Sequence, residues 1–262
     1  MFKTFKKASQ TSAIASDMLA GGTHVGLIRE HNEDSYLYVT LPGDKVSLVV
    51  VTDGMGGHEG GEFASYFATE ALGRIWGQSA DPTTLKLRES EQILVETIKM
   101  CNDKIFAINE KLNVSRAMGT TITAGLFVPG KLIVAQVGDS RAYQQRGRNL
   151  VQITEDQTWV AKMVKLGNLK PEEAENHPLS HLLSNCMGAG SALDVQVSIC
   201  RRKPGDRYLF CTDGLYGSLP HQLISDLMSD VRSPQKILDE LISRALDAGG
   251  KDNITGIVIF DQ

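Results

Sequence analysis

Residues 49–61 read VVVTDGMGGHEGG, an apolar, β-branched run that ends at Asp53 inside a cluster of glycines. Far downstream, residues 208–217 read YLFCTDGLYG and drive a second apolar run into Thr-Asp-Gly at Asp213. An aspartate at the end of a buried strand is held by rigid neighbours, and the glycine after it lets the backbone turn so that a carbonyl can point the same way. Each stretch therefore predicts a strand end that presents oxygen ligands to a cation.

Four more acidic residues stand at comparable places along the chain. They are Asp139 in VAQVGDSRAY, Asp252 in GGKDNITGIVIF, and Glu33 and Asp34 in REHNEDSY, just before a predicted strand. If these carboxylates converge, they raise one another's pKa and are costly to bury, and a divalent cation compensates them. Ligation by oxygen alone favours Mg²⁺ or Mn²⁺ over zinc or copper. Any one of these segments taken singly is also compatible with an ordinary turn.

Length and charge limit the classes of function. The 262 residues carry 27 Lys and Arg against 31 Asp and Glu, a formal net charge of −4, and we predict one domain. Because no long basic run is present, we expect no nucleic-acid partner. Residues 1–22 lack a continuous apolar core, so we expect a loose tail and no membrane association. Four scattered cysteines without metal-ligand spacing indicate reduced thiols in a cytoplasmic protein.

Hydrophobic periodicity predicts an α+β domain. Alternating or β-branched runs predict strands over 34–40, 45–52, 118–128, 131–137, 141–145, 150–153, 194–202, 206–212 and 253–260. Short links between several of them favour antiparallel pairing. Helices are predicted over 59–76, through an apolar stripe over 94–112, and after an N-cap at Ser233. The element order is not βαβαβ, so we expect long helices layered against antiparallel strands.

Some other chemistries do not fit the motifs. Ser140 in GDSRA has Ala142 where the nucleophile elbow of a serine hydrolase needs glycine. Neither Gly130-Lys131 nor Gly250-Lys251 is followed by the Ser or Thr of a phosphate-binding P-loop. Arg141, next to Asp139, is interpreted as a structural partner of a carboxylate.

Six segments together resemble the metal-dependent protein phosphatases, the PPM or type 2C family, and in particular its bacterial branch. In chain order they are REHNEDS, VVVTDGMGGHEGGEFAS, GTTITAG, VGDSRAY, FCTDGLYG and KDNIT. The resemblance implies a catalytic domain over 23–262, built as a four-layer α-β-β-α sandwich of two antiparallel sheets flanked by helix pairs. It also implies a flap over about 157–190 and a metal cluster at one end of the sandwich.

The same resemblance implies roles for the acidic residues. Asp53 corresponds to the carboxylate that bridges two Mn²⁺ or Mg²⁺ ions, with the Gly54 carbonyl on one of them. Asp213 and Asp252 correspond to further ligands, and Glu33 to a residue that serves the second ion directly or through water. Asp139 corresponds to the ligand of a third, weaker ion. Asp34 is expected close by.

The expected reaction is hydrolysis of phosphoserine and phosphothreonine in proteins, opposing a Ser/Thr kinase. Arg29 corresponds to the phosphate-binding arginine, whose planar fork can grip two oxygens. Met55 stands where many eukaryotic relatives have a catalytic histidine, and His58 is a possible substitute as general acid or an ordinary loop residue. We expect a monomer. Two alternatives stay open, a metal-free phosphoprotein-binding module and a phosphatase of small metabolites.

Overall fold

Two antiparallel sheets packed face to face form the centre of the protein. The computed structural model describes residues 18–41, 45–57, 59–78, 84–112, 117–174 and 177–261. Within them the strands are β1 Leu19–His24, β2 Asp34–Leu41, β3 Lys45–Met55, β4 Gly119–Thr120, β5 Ile122–Val128, β6 Lys131–Val137, β7 Arg141–Arg146, β8 Asn149–Gln152, β9 Gln196–Arg201, β10 Arg207–Cys211 and β11 Ile254–Phe260. The helices are α1 Glu59–Gln78, α2 Leu87–Leu112, α3 Trp159–Lys165, α4 Pro171–Ala174, α5 Asp213–Tyr216, α6 His221–Met228 and α7 Pro234–Asp247.

The strand order confirms the antiparallel prediction. One sheet runs β1-β11-β10-β7-β8 and the other β2-β3-β5-β6-β9, with β4 paired to β3, and every pair is antiparallel. Two-residue turns at Pro129-Gly130 and Gly147-Arg148 join neighbouring strands directly. Such short links leave no room for the crossover that parallel pairing needs.

Three apolar layers hold the sheets and helices together. Between the sheets, Val49 and Val51 of β3 pack with Phe210 of β10. On the outer face of the six-stranded sheet, α1 and α2 bury a second core that includes Trp76. On the outer face of the five-stranded sheet, α7 buries Leu238 and its apolar stripe in a third. The predicted four-layer α-β-β-α sandwich is therefore confirmed.

The strand registers bring the acidic segments to one end of the sandwich. In the six-stranded sheet, Asp34 at the start of β2 pairs with Asp53 near the end of β3. In the five-stranded sheet, Cys211 at the end of β10 pairs with Arg141 at the start of β7 and with Gly256 near the start of β11. The loops that carry the remaining aspartates leave from these same strand ends.

The structure corrects the N-terminal boundary. We predicted a loose tail through residue 22, but β1 begins at Leu19 and its residues pair with β11 from Leu19↔Ile259 onward. Leu19 and Ala20 are buried, so burial of these side chains fixes the strand. The short α5 and α6 were not predicted, because four and eight residues give little periodicity to detect.

Two smaller expectations are met. Ser233 is the N-cap residue of α7, with Pro234 in the first turn. The four cysteines are all free; Cys101 and Cys211 are buried, and the other two are partly exposed. Across the described ranges, none of the helices combines the length and apolar composition that crossing a bilayer requires.

Candidate metal-dependent active site

The backbone of Asp53 is held by Thr121, the single residue between β4 and β5. The Thr121 hydroxyl accepts a hydrogen bond from the Asp53 N–H at 2.9 Å. The Thr121 N–H donates to the Asp53 carbonyl at 2.9 Å. Ser140 supports Thr121 through a hydroxyl contact of 2.7 Å. The backbone of Asp53 is thus held on both sides, so its carboxylate direction is set by the sheet.

Asp34 is held by hydroxyl groups of the neighbouring sheet. Thr212 donates to Asp34 Oδ2 at 2.8 Å, and the same hydroxyl accepts the Thr255 N–H at 3.1 Å. Burial raises the pKa of Asp34 to about 7, against the lowering by hydrogen bonds from Thr255 and Thr212, and Asp213 adds to the rise. Its other oxygen, Oδ1, is buried and has no hydrogen-bond partner.

Three further carboxylates of the cluster, Asp53, Asp139 and Asp213, also have raised pKa values. Burial raises the pKa of Asp53 well above its usual value, and the charges of Asp34, Asp213, Asp139 and Asp252 raise it further. Asp139 has a pKa of about 7, raised by burial and then by Asp213. For Asp213, burial and Asp252 raise the pKa, against a hydrogen bond with Asp53.

Gly54 lies where no side chain fits. Its N–H donates to the Glu33 carbonyl at 3.1 Å, and a Cβ at this position would lie 2.3 Å from the Gly61 carbonyl oxygen. The close approach draws the loop before β2, the end of β3 and the first turn of α1 together. Glu33 is thereby placed beside the acidic end of the sandwich.

Arg29 stands at the rim of this cluster. Its Nη2 donates to Asp252 Oδ2 at 2.7 Å, and its side chain remains 55% exposed. Burial lowers the pKa of Arg29, but the hydrogen bond and charge of Asp252, with the charges of Asp53 and Glu33, raise it overall. The guanidinium is therefore close to three of the predicted ligands and open to solvent.

Asn253 has a role that the sequence analysis missed. Its side-chain amide donates to the carbonyls of Val25 at 2.8 Å and His31 at 2.9 Å, and its Oδ1 accepts the Glu33 N–H at 2.8 Å. One buried side chain thus ties down both ends of the loop that carries Arg29. The motif KDNIT offered the residue, but only the fold shows which loop it holds.

Arg141 is confirmed as a structural residue. Its guanidinium makes hydrogen bonds to both oxygens of Asp156, the shortest at 2.6 Å, and its Cζ lies 3.7 Å from the centroid of the Tyr216 ring. The Tyr216 hydroxyl in turn donates to the Asp139 carbonyl at 3.0 Å. This chain of contacts links α5 to the loop of Asp139.

The flap carries a histidine, His181, that we did not predict as part of the site. Trp159 donates its N–H to the Leu182 carbonyl at 2.7 Å, which fixes the turn after α4. Burial and then Asp252 raise the pKa of Asp213, and His181 in this turn is among the groups that oppose the rise. His58, which we considered as general acid, lies outside the described residues. A pocket of about 580 Å³ beneath α3 includes none of the predicted ligands.

The donor set fits hard divalent cations. All the clustered side chains offer carboxylate oxygen, and Asp34 Oδ1 and Asp213 Oδ1 are both buried without a hydrogen-bond partner. In the part of the chain that is described, no three His, Cys, Asp or Glu side chains already converge closely enough to hold an ion. The two unpartnered oxygens are the positions at which a bound cation would compensate a buried charge.

The raised pKa values predict how the metal-free protein responds to pH. For Asp34 and Asp139 the unfolded chain loses its proton near the ordinary value of 3.8, whereas the folded protein holds the proton up to about pH 7. Ionisation therefore destabilises the fold progressively as pH rises from about 4 to 7. We expect the melting temperature of chelator-treated protein to be roughly 5 °C lower at pH 8 than at pH 5.5.

Added Mn²⁺ should reverse this trend, because ions compete with protons for the same oxygens and bind best at pH 8. Differential scanning calorimetry at the two pH values, with and without Mn²⁺, measures both effects. A melting temperature of the metal-free protein that rises between pH 5.5 and 8 would contradict the electrostatic account.

Comparisons with known proteins identify the family and the fold. The model of the family described as protein phosphatase 2C matches residues 27–254. The serine/threonine phosphatase stp of Listeria monocytogenes is 32% identical over 237 residues, covering 90% of this chain and 93% of that protein. The serine/threonine phosphatase of S. agalactiae superposes with a TM-score of 0.86 at 28% identity, covering 93% of this chain and 99% of that one.

A further solved structure is the catalytic domain of the serine/threonine protein phosphatase PstP in complex with two manganese ions. It matches with a TM-score of 0.77 and 31% identity, covering 93% of this chain and 98% of that one. The family match spans most of the chain, including strands of both sheets. The protein therefore belongs to the protein phosphatase 2C family.

Proposed function

We propose that the protein hydrolyses phosphoserine and phosphothreonine in proteins, with Mn²⁺ or Mg²⁺ as cofactor. The observation that carries the proposal is the set of acidic side chains around Asp53, of which Asp34 and Asp139 are buried, with Arg29 exposed at their rim. The family and the named relatives support the reaction type. Such an enzyme would act on phosphorylated proteins and oppose a Ser/Thr kinase. We propose that it does so in the cytoplasm and as a monomer.

The chain offers the ligands for two ions and a third, weaker one. We assign Asp53 and the Gly54 carbonyl to the central position and Asp139 to the third. The other proposed ligands are Glu33, Asp213 and Asp252, with Asp34 beside them. Bound ions would lower the pKa of a water molecule and neutralise phosphoryl oxygens.

The protein's own groups bind and orient the substrate. Arg29 can offer two parallel N–H donors to a phosphoryl group, because its side chain is partly free of the surrounding loop. Its pairing with Asp252 aims the guanidinium at the cluster. Hydroxyls at Thr121 and Thr212 fix Asp53 and Asp34, so the carboxylates need little reorganisation as charge develops.

One observation favours the second candidate, a metal-free module that binds phosphoproteins. Arg29 already neutralises Asp252 without an ion, and the carboxylates do not converge fully. A phosphatase of small metabolites shares the whole proposed mechanism and differs only in what the surface around Arg29 accepts.

Release of phosphate from a phosphothreonine peptide distinguishes the three candidate functions, which are a protein phosphatase, a metal-free binding module and a phosphatase of small metabolites. We expect turnover with Mn²⁺ and loss of at least about 10³-fold in rate after chelation, because charge neutralisation is the main catalytic contribution. Small phosphorylated metabolites serve as the comparison substrates. Binding of the peptide without turnover would favour the module, and chelator-resistant turnover would contradict the metal mechanism.

A further inference from the structure

Two neighbouring apolar side chains next to Arg29 are left open to solvent. Leu27 is 63% and Ile28 is 70% exposed. Single exposed apolar residues are ordinary, but contiguous ones mark surfaces that contact a partner. Among the described residues, no other two consecutive positions are both large, aliphatic and exposed to this degree.

The segment that presents this pair is held in place from several sides. The Leu27 N–H donates to the Gly250 carbonyl at 2.7 Å. Gly26 has φ +85°, and a Cβ there would lie 2.3 Å from the Asp252 carbonyl oxygen, so only glycine fits. Asn253 holds the Val25 carbonyl directly before it. The backbone therefore fixes the two side chains in their exposed position, and their exposure is not the result of a free tail.

The same segment continues into the proposed phosphate contact. Arg29 follows Ile28 directly, and its guanidinium reaches Asp252 at the edge of the carboxylate cluster. An extended peptide advances by about 3.5 Å per residue, so the two residues on either side of a bound phosphoresidue lie within about 7 Å of it. Because Leu27 and Ile28 directly precede Arg29 on a segment whose backbone is fixed, they border the proposed phosphate contact on one side.

We propose that Leu27 and Ile28 form a contact surface for apolar side chains that flank the phosphorylated residue of a protein substrate. This inference rests on the proposed phosphatase function and names the substrate class more narrowly. The two side chains carry no charge and no hydrogen-bond donor. Burying an aliphatic flanking residue against them therefore increases affinity for the peptide, whereas a polar flanking residue gains no contact of this kind. The occupant is therefore an extended phosphopeptide with Leu, Ile or Val next to phosphoserine or phosphothreonine.

A pair of matched phosphothreonine peptides tests the inference. One carries Leu and Val beside the phosphothreonine, and the other carries Ser at both places, with the same net charge. We expect the unmodified protein with Mn²⁺ to show a kcat/KM about 10-fold higher for the aliphatic peptide. In the double variant Leu27→Ser with Ile28→Ser, the two peptides should become equal while hydrolysis of para-nitrophenyl phosphate stays unchanged.

The control variant is Val231→Ser. Val231 is 96% exposed and apolar, and it follows Asp230, whose carbonyl accepts a hydrogen bond from Arg207 at the start of β10, away from the cluster. This variant should keep the full preference. Fluorescence anisotropy with phosphonate versions of the two peptides, which cannot be hydrolysed, measures their dissociation constants. We expect the aliphatic peptide to bind about 10-fold more tightly.

The outcomes separate the inference from the function on which it rests. Equal kcat/KM for the two peptides in the unmodified protein, with metal-dependent hydrolysis intact, would overturn the inference and leave the phosphatase standing. Retention of the preference in the double variant would overturn it as well. Failure to hydrolyse both peptides and para-nitrophenyl phosphate would overturn the proposed function itself.

Discussion

Replacing Asp53 by asparagine is expected to reduce phosphate release by roughly 10³-fold or more and, at the same time, to stabilise the metal-free protein. The rate falls because the central proposed ligand loses its charge. The fold gains because desolvation and four neighbouring aspartates raise the pKa of Asp53, so its ionisation destabilises the metal-free protein at neutral pH. We expect the melting temperature after chelation to rise by about 5 °C at pH 8.

A matched control is Asp226→Asn, which changes an aspartate that lies on α6, outside the cluster. It should leave both the rate and the melting temperature nearly unchanged. Calorimetry and a phosphate-release assay on the two variants measure the effects. If Asp53→Asn lowered the melting temperature of the metal-free protein, the carboxylates would not be repelling one another as described.

Replacing Asn253 by alanine is expected to damage both stability and catalysis. The change removes three hydrogen bonds and leaves the Val25 and His31 carbonyls without their amide donor. At about 1 kcal/mol for each bond, the free energy of unfolding should fall by about 3 kcal/mol. Because the freed loop carries Arg29, we also expect kcat/KM for a phosphopeptide to fall by about 10²-fold.

The exposed Asn149 at the start of β8 gives the comparison variant, Asn149→Ala, which should change neither quantity. Urea denaturation measures the stability change, and steady-state kinetics measures the catalytic one. Unchanged kcat/KM in Asn253→Ala, with the expected loss of stability, would show that the loop keeps Arg29 in place by other contacts.

Much of the fold could be predicted because its signals are local. The β-branched run before Asp53 and the apolar stripe of α2 each report their element from a single stretch of sequence. The antiparallel sandwich followed from short connections and from the family resemblance. The sequence did not predict β1, because Gly21 and Gly22 interrupt its apolar pattern. Its pairing with β11 also depends on residues more than two hundred positions away.

The site could be predicted only as a set of residue types. The proposed ligands were predicted from the two Thr-Asp-Gly segments and the other acidic motifs. The residues that hold these ligands and their loops in place lie far from them in the sequence. Thr121, between β4 and β5, holds Asp53 on the neighbouring β3, and Asn253 holds a loop that precedes it by more than two hundred residues. His181 of the flap influences the pKa of Asp213. The motifs GTTITAG and KDNIT contain Thr121 and Asn253 but do not reveal their partners, because these hydrogen bonds exist only once the strands and loops have come together.

The central claim is that the distant acidic side chains meet around shared divalent ions. A crystal structure of the protein grown with Mn²⁺, with anomalous diffraction recorded at the manganese edge, tests this most directly. We expect at least two strong anomalous peaks, with an Asp53 oxygen bound to both ions and with Asp213 and Asp252 among the other ligands. An anomalous map without a peak beside Asp53 would contradict the account.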